Sequence, residues 1–107
     1  MDTVVDRLIR YAKVYSESDY HAGRAVTPST QRQFDMGRLL VEELHGLGIE
    51  NAVLDEKCYV YASVPASPGC EHLPAIGLIA HMDTTPDMTG KDVKPQVIHY
   101  EGGDVVL

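Results

Sequence analysis

Residues 73–87 read Leu-Pro-Ala-Ile-Gly-Leu-Ile-Ala-His-Met-Asp-Thr-Thr-Pro-Asp. The apolar run at residues 76–80 is bounded by turn formers, which is typical of a strand buried on both faces of an α/β sheet. His81 ends the run and Asp83 follows, at the carboxyl end where open α/β sheets usually place their sites. Two interpretations fit this spacing: a metal-binding imidazole oriented by a carboxylate, or a histidine that caps a strand before an aspartate that opens a turn.

The length and charge of the chain narrow its class. With 107 residues it is long enough for one small domain and too short for two. A formal net charge of −7 argues against a nucleic-acid or anionic-membrane surface. No apolar run approaches the roughly 20 residues of a membrane span, and residues 1–10 show no signal peptide. Two cysteines, Cys58 and Cys70, do not make a disulfide framework, so we expect a cytoplasmic protein.

The first predicted element is an amphipathic helix from residue 3 to about residue 16. Apolar side chains recur along one helical face, with charged side chains opposite. Thr3 is placed to cap the start of this helix, and Asp6 is placed as the reciprocal acid of a capping box. Residues 17–28 are rich in turn formers and are predicted to be a loop.

A second helix is predicted to start near Thr30, where Thr-Gln-Arg-Gln forms a capping box with Gln33 as the reciprocal partner. Gly48 is placed as a left-handed C-cap. Gly37 lies on the apolar stripe and would let the helix approach a sheet closely, at a cost of roughly 1 kcal/mol in propensity. We expect the stripes of both helices to face the core.

Strands are predicted in the second half of the chain. Residues 58–64 alternate with the period of a strand. Shorter candidate strands are residues 51–55, 96–100 and 105–107, and the loops between strands are residues 65–74 and 84–95. The doubly buried pattern of residues 76–80 requires helices on both faces, whereas the sequence shows only one layer. The sequence therefore predicts an α/β protein with a mixed, incomplete β-sheet and two helices, the amino-terminal piece of a larger protein with an exposed apolar face.

Residues 81–87, His-Met-Asp-Thr-Thr-Pro-Asp, resemble a motif of the peptidase T family, tripeptide aminopeptidases of the dizinc metallopeptidase superfamily that also holds carboxypeptidase G and aminoacylase. Other stretches that resemble this family follow the same order along nearly the whole chain: residues 27–31, 59–62, 76–80, 90–98 and 100–105. The His-x-Asp motif is shared across the superfamily, whereas residues 90–96 and the Gly-Gly-Asp turn are specific to this family. Two residues depart from its pattern: Cys58 replaces a usual glycine, and Glu101 a commoner aspartate.

The resemblance implies a zinc peptidase in which His81 is a metal ligand and Asp83 is the catalytic-site aspartate that fixes its imidazole. It implies two zinc ions, a short peptide substrate and a homodimer in the intact enzyme. Residues 1–107 would be the amino-terminal segment of the catalytic domain. The other ligands, the general-base glutamate and the dimerisation domain would lie downstream, so we expect the chain itself to bind zinc weakly and to hydrolyse nothing.

Other functions remain open beside this one. A non-catalytic α/β module would reuse the same scaffold for binding or interaction. There are three weaker candidate sites. The first is a zinc site of Cys58, Cys70, His72 and His81, which lacks the paired Cys-x2-Cys knuckle. The second is a serine–histidine pair of Ser18 and His21, and the third is the loop lysines Lys91 and Lys94, which would meet a substrate carboxylate. The plainer alternatives are a buried thiol at Cys58, an exposed thiol at Cys70, and a solvated loop around the lysines.

Overall fold

The computed structural model describes residues 2–106 and contains two helices and a two-stranded sheet. The elements are α1 (Val4–Ala12), α2 (Gln33–Gly46), β1 (Val53–Leu54) and β2 (Val60–Tyr61). The strands are antiparallel, with Val53 opposite Tyr61 and Leu54 opposite Val60. Helix α2 packs against both strands. The predicted α/β class, with two helices and an incomplete sheet, is confirmed.

The start of α1 follows the predicted capping box. The Thr3 hydroxyl accepts a hydrogen bond from the Asp6 backbone N–H at 3.1 Å, and the Thr3 N–H donates to Asp6 Oδ2 at 2.8 Å. The Thr3 hydroxyl also donates to Asp6 Oδ2 at 2.6 Å, and this bond, followed by the bond from the Thr3 backbone N–H, lowers the pKa of Asp6. The helix ends at Ala12, earlier than predicted. After the helix, the Ser16 carbonyl accepts from the Thr84 N–H, so this part of the chain pairs with a distant segment.

The predicted capping box of α2 is wrong. The helix begins at Gln33, and its N-cap, Arg32, makes no side-chain capping bond. The Thr30 hydroxyl donates to the Glu17 carbonyl at 2.7 Å, and Gln33 Nε2 donates to Ser29 Oγ at 3.0 Å. The Thr30 hydroxyl also accepts from Gln33 Nε2 at 3.2 Å, whereas the Gln33 backbone N–H donates to the Thr30 carbonyl at 3.4 Å. The hydroxyl therefore bonds the side chain of Gln33 and not the backbone N–H that a capping box requires.

The end of α2 is a Schellman motif, which confirms the predicted left-handed C-cap. Gly48 has φ +84°, a conformation open to glycine without a Cβ clash. Its N–H donates to the His45 carbonyl at 2.9 Å, and the Ile49 N–H donates to the Leu44 carbonyl at 3.0 Å. These two bonds satisfy carbonyls that the helix itself leaves open.

The core lies where α2 meets the hairpin, and Gly37 permits that contact. A Cβ atom at Gly37 would lie 2.7 Å from Leu54 Cδ1, which is closer than side chains tolerate. The predicted close approach of helix and sheet is therefore confirmed. Met36, Ala52 and Cys58 are buried beside it. This small cluster is the buried apolar centre of the described chain.

The hairpin turn is organised by the Asp55 side chain. Its Oδ1 accepts from the Lys57 N–H at 2.9 Å and from the Tyr59 N–H at 2.8 Å. Beyond the two paired residues of each strand, Asn51 uses its side-chain amide to bond the backbone N–H and C=O of Ser63 at 2.9 and 3.0 Å. The predicted strands at residues 51–55 and 58–64 are therefore paired by backbone hydrogen bonds only in part, and the Asn51 side chain supplies the pairing beyond that part.

The apolar run at residues 76–80 is not a strand among the described residues, so that prediction is wrong for this chain. Ile76, Leu78 and Ile79 are 88%, 93% and 101% exposed. A strand needs a hydrogen-bonded neighbour, and a doubly buried one needs a layer on each face. Neither exists within residues 2–106. Residues 96–100 and 105–106 are also unpaired, and Leu107 lies outside the described residues.

The accessible surface and the radius of gyration are both large for this length, which agrees with the exposure of residues 76–80. The accessible surface is 8971 Å², against about 5900 Å² expected for a folded monomer of this mass. The radius of gyration is 17.2 Å, against roughly 13 Å expected for this length. A groove of about 600 Å³ separates both helices and β2 from residues 78–82. Among the described residues, neither helix has the length and apolar character that would let it cross a membrane.

Candidate metal corner

The backbone that carries His81 and Asp83 is held by the segment that follows α1. Glu17 and Thr84 form a parallel β-bridge. The Ser16 hydroxyl donates to the Met82 carbonyl at 3.1 Å, the Thr84 N–H donates to the Ser16 carbonyl at 3.3 Å, and the Ser18 N–H donates to the Thr84 carbonyl at 2.9 Å. Residues 82–84 are therefore anchored although residues 76–80 are not.

His81 and Asp83 contact each other, with 3.1 Å between His81 Nδ1 and Asp83 Oδ1. An ionised carboxylate only accepts hydrogen bonds, so this contact places a proton on Nδ1 and leaves the Nε2 lone pair of a neutral imidazole free. The His81 side chain is 85% exposed and that of Asp83 is 36% exposed. The donor set fits one histidine ligand of a zinc ion with its orienting carboxylate. The roles of both residues stay predictions.

Three further contacts fix the loop after this pair. The Tyr20 hydroxyl lies 2.8 Å from Thr85 Oγ1 and donates to Asp87 Oδ2 at 2.8 Å. Hydrogen bonds from Thr85 and then Tyr20 lower the pKa of Asp87. The Gly90 N–H donates to Glu17 Oε2 at 2.9 Å. The loop predicted at residues 84–95 thus begins as an anchored turn on the N-terminal segment.

The weaker candidate sites gain no support from the geometry. Within residues 2–106, no three His, Cys, Asp or Glu side chains meet as a metal site requires, which leaves the Cys58, Cys70, His72 and His81 set dispersed. Burial, and then the charge of Asp55, raises the pKa of the Cys58 thiol.

The serine of the proposed serine–histidine pair is used elsewhere. The Ser18 hydroxyl donates to the Thr84 carbonyl at 3.1 Å. Lys91 and Lys94 are exposed on their loop.

Sequence reasoning missed the residues that bond to the backbone and loop around the candidate site. Ser16, Ser18 and Tyr20 lie at the end of a predicted helix or in a predicted loop, and no local spacing links them to residues 82–87. The available signal was compositional: hydroxyl-bearing side chains cluster directly after a helix, where they commonly bond to backbone. That signal names no partner, because the partners lie more than 60 positions away.

The chain is similar along its whole length to curated proteins named peptidase T. It is 50% identical over 109 residues to that of Alkaliphilus oremlandii, which covers 100% of this chain and 26% of that protein. It is also 50% identical over 109 residues to that of Halothermothrix orenii, with the same coverage, and 46% identical over 105 residues to that of Geobacillus thermodenitrificans, covering 97% of this chain and 25% of that protein. No protein-family model matches the chain.

These matches show that the chain is similar to about a quarter of the length of proteins that are named as peptidases. More narrowly, it corresponds to the N-terminal part of a peptidase T-like protein, which confirms the resemblance found in the sequence motifs. The chain spans about a quarter of the length of the curated relatives it matches.

Proposed function

We propose that this chain is the first part of the catalytic domain of a cytoplasmic zinc aminopeptidase that releases the N-terminal residue of tripeptides. The observation that carries the proposal is the His81–Asp83 contact at 3.1 Å, in a chain 50% identical to a peptidase T over its whole length. Free thiols at Cys58 and Cys70 agree with a reducing compartment.

In this proposal His81 ligates zinc through Nε2, and Asp83 holds the imidazole by accepting the Nδ1–H hydrogen bond. When bound, a zinc pair supplies Lewis acidity and a water activated at neutral pH. Asp83 keeps the imidazole in one tautomer, so the ligating nitrogen needs no rearrangement before it binds the metal. The substrate is a short peptide, with no nucleic acid or membrane involved, and any homodimer of the whole enzyme forms outside this segment.

The chain by itself is expected to be inactive. A catalytic zinc site requires about three protein ligands and an open position, and the described residues bring together one histidine and its carboxylate. We therefore expect weak zinc binding and no tripeptide hydrolysis by the purified 107-residue chain. The assay compares tripeptide hydrolysis with zinc and with a chelator. Turnover that the chelator removes would contradict this expectation.

A chimera tests the proposed role in an intact enzyme. Residues 1–107 replace the matching part of the peptidase T of Alkaliphilus oremlandii, to which they are 50% identical. We expect zinc-dependent tripeptide hydrolysis by this chimera. In the His81→Ala chimera we expect a loss of activity of at least about 100-fold, together with lower zinc content by elemental analysis.

His72→Ala is the matched control, because His72 is an exposed histidine outside the His-x-Asp pair. It should leave activity and zinc content unchanged. A His81→Ala chimera with full activity and full zinc content would refute the ligand role. A folded but inactive parent chimera would instead favour the non-catalytic binding module.

A further inference from the structure

Ser16 is the most deeply buried side chain described, and it lies beside an otherwise exposed segment. Its relative exposure is 0%, whereas His81 is largely exposed. Serine is polar and is seldom fully buried without a specific hydrogen-bond partner. Here the partner is the Met82 carbonyl, which the hydroxyl reaches at 3.1 Å. The burial therefore serves a contact with the backbone of the His-x-Asp motif.

The two bonds of Ser16 hold the two peptide groups that flank Asp83. The Met82 carbonyl belongs to the peptide group before Asp83, and the Thr84 N–H belongs to the peptide group after it. The Ser16 hydroxyl donates to the first, and the Ser16 carbonyl accepts from the second at 3.3 Å. Because both peptide planes are fixed, the φ and ψ angles of Asp83 between them are fixed too.

The direction of the Asp83 carboxylate follows from that backbone. Little packing holds the His81 ring, since its side chain is 85% exposed. The orientation of the imidazole therefore depends on the 3.1 Å contact with Asp83 Oδ1. We propose that Ser16 is a positioning residue, which sets the orientation and tautomer of His81 through the backbone of Asp83. This proposal rests on the proposed function for its catalytic consequence.

Ser18 provides a matched control of the same residue type. Its hydroxyl donates to the Thr84 carbonyl at 3.1 Å, but the same carbonyl already accepts the Ser18 N–H at 2.9 Å. Removing the Ser18 hydroxyl therefore leaves that carbonyl paired. Removing the Ser16 hydroxyl deletes the hydrogen bond that the described chain makes to the Met82 carbonyl.

The first experiment uses the 107-residue chain without metal. ¹⁵N NMR reports which ring nitrogen of neutral His81 carries the proton. We expect the Nδ1–H form in the wild type and in Ser18→Ala, and a shift toward the Nε2–H form in Ser16→Ala. Ser16→Thr keeps the hydroxyl and should retain the wild-type tautomer, whereas Ser16→Val, which matches threonine in volume, should not. The threonine and valine pair decides the question where Ser16→Ala does not fold.

The second experiment measures catalysis in the chimera. We expect Ser16→Ala and Ser16→Val to lower kcat about tenfold with little change in KM, and Ser16→Thr to restore it. An unchanged His81 tautomer in a folded Ser16→Val chain would overturn the positioning role, as would equal losses from Ser18→Ala. Because the NMR comparison needs no metal, its result is independent of whether His81 proves to be a zinc ligand.

Discussion

Cys58 combines a buried side chain with a left-handed backbone, at φ +66°. This conformation costs an L-residue roughly 1–2 kcal/mol relative to the right-handed one, and glycine avoids that cost. The hairpin turn between β1 and β2 holds residue 58 in the left-handed conformation, which glycine would adopt without that cost.

Glycine and alanine at position 58 should separate this backbone effect from loss of the thiol. Both substitutions remove the sulfur, but only Cys58→Gly also removes the Cβ. We expect Cys58→Gly to be more stable than Cys58→Ala by about 1 kcal/mol in urea unfolding. Ala62→Gly is the control at an exposed site without a positive φ, where glycine should be the less stable residue. A Cys58→Ala chain at least as stable as Cys58→Gly would contradict the argument.

At the scale of elements, Glu43 joins the two helices. From α2 it accepts hydrogen bonds from the Tyr11 hydroxyl and from the guanidinium of Arg10, both on α1. Burial raises the pKa of Glu43, but the hydrogen bonds from Tyr11 and Arg10 and the charges of Arg10 and Arg7 outweigh it, so the pKa is lowered overall. The carboxylate is thus the partner that holds α1 on α2.

Because the pKa of Glu43 is lowered in the folded chain, the stabilisation from this contact depends on pH. Its stabilisation is fully present above the ordinary glutamate pKa of 4.5 and is lost as the pH falls through the lower folded-state value. Tyr11→Phe should raise the pKa of Glu43 and move acid unfolding to higher pH, with a loss of about 1.5 kcal/mol at neutral pH. The Glu43 pKa comes from ¹³C NMR, and unfolding from circular dichroism.

Tyr100→Phe serves as the control for this experiment, because the Tyr100 hydroxyl donates to the Gly103 carbonyl instead. It should leave the pKa of Glu43 unchanged. If Tyr11→Phe also left that pKa unchanged, the hydrogen bond to Glu43 would not be its cause.

The sequence predicted those parts of the elements that depend on near neighbours. The capping box of Thr3, the left-handed Gly48 and the close approach at Gly37 all follow from local patterns, and all three are confirmed. The prediction is wrong at the start of α2 and at the end of α1, which begin and end at Gln33 and Ala12, and near these ends Thr30 and Ser16 bond to distant backbone groups. Local propensity cannot identify such partners.

In the candidate site, too, local spacing predicts some contacts and cannot predict others. The pairing of His81 with Asp83 was suggested by two-residue spacing in an extended backbone, and the two side chains do contact. The anchoring of that pair by Ser16 depends on chain topology and left no spacing pattern to detect. Residues 76–80 show the converse case, since their pattern predicts burial that no described element provides.

At the scale of the whole molecule, the exposed apolar residues 76–80 predict that one substitution will affect the stability of the chain and of the chimera differently. Ile79 is fully exposed here, so Ile79→Lys should change the free energy of unfolding of the chain by no more than about 0.5 kcal/mol. It should also reduce self-association in sedimentation velocity, because unpaired apolar edges favour contacts between copies.

In the chimera, where we predict residues 76–80 to be a buried strand, the same lysine should destabilise by more than about 3 kcal/mol. Ala66→Lys, in an exposed loop, is the control and should be neutral in both proteins. A chimera that tolerates Ile79→Lys as well as Ala66→Lys would refute the buried strand.

The contact of Ser16 with Met82 joins positions 66 residues apart, whereas β1 and β2 are joined by a short turn. Closing the longer loop costs about 2 kcal/mol more in chain entropy than closing the hairpin. We therefore expect α2 and the hairpin to assemble before the backbone around His81 and Asp83 is bonded to Ser16. We expect amide hydrogen exchange to show that the contact between Ser16 and Met82 opens more readily than the contact between α2 and the hairpin.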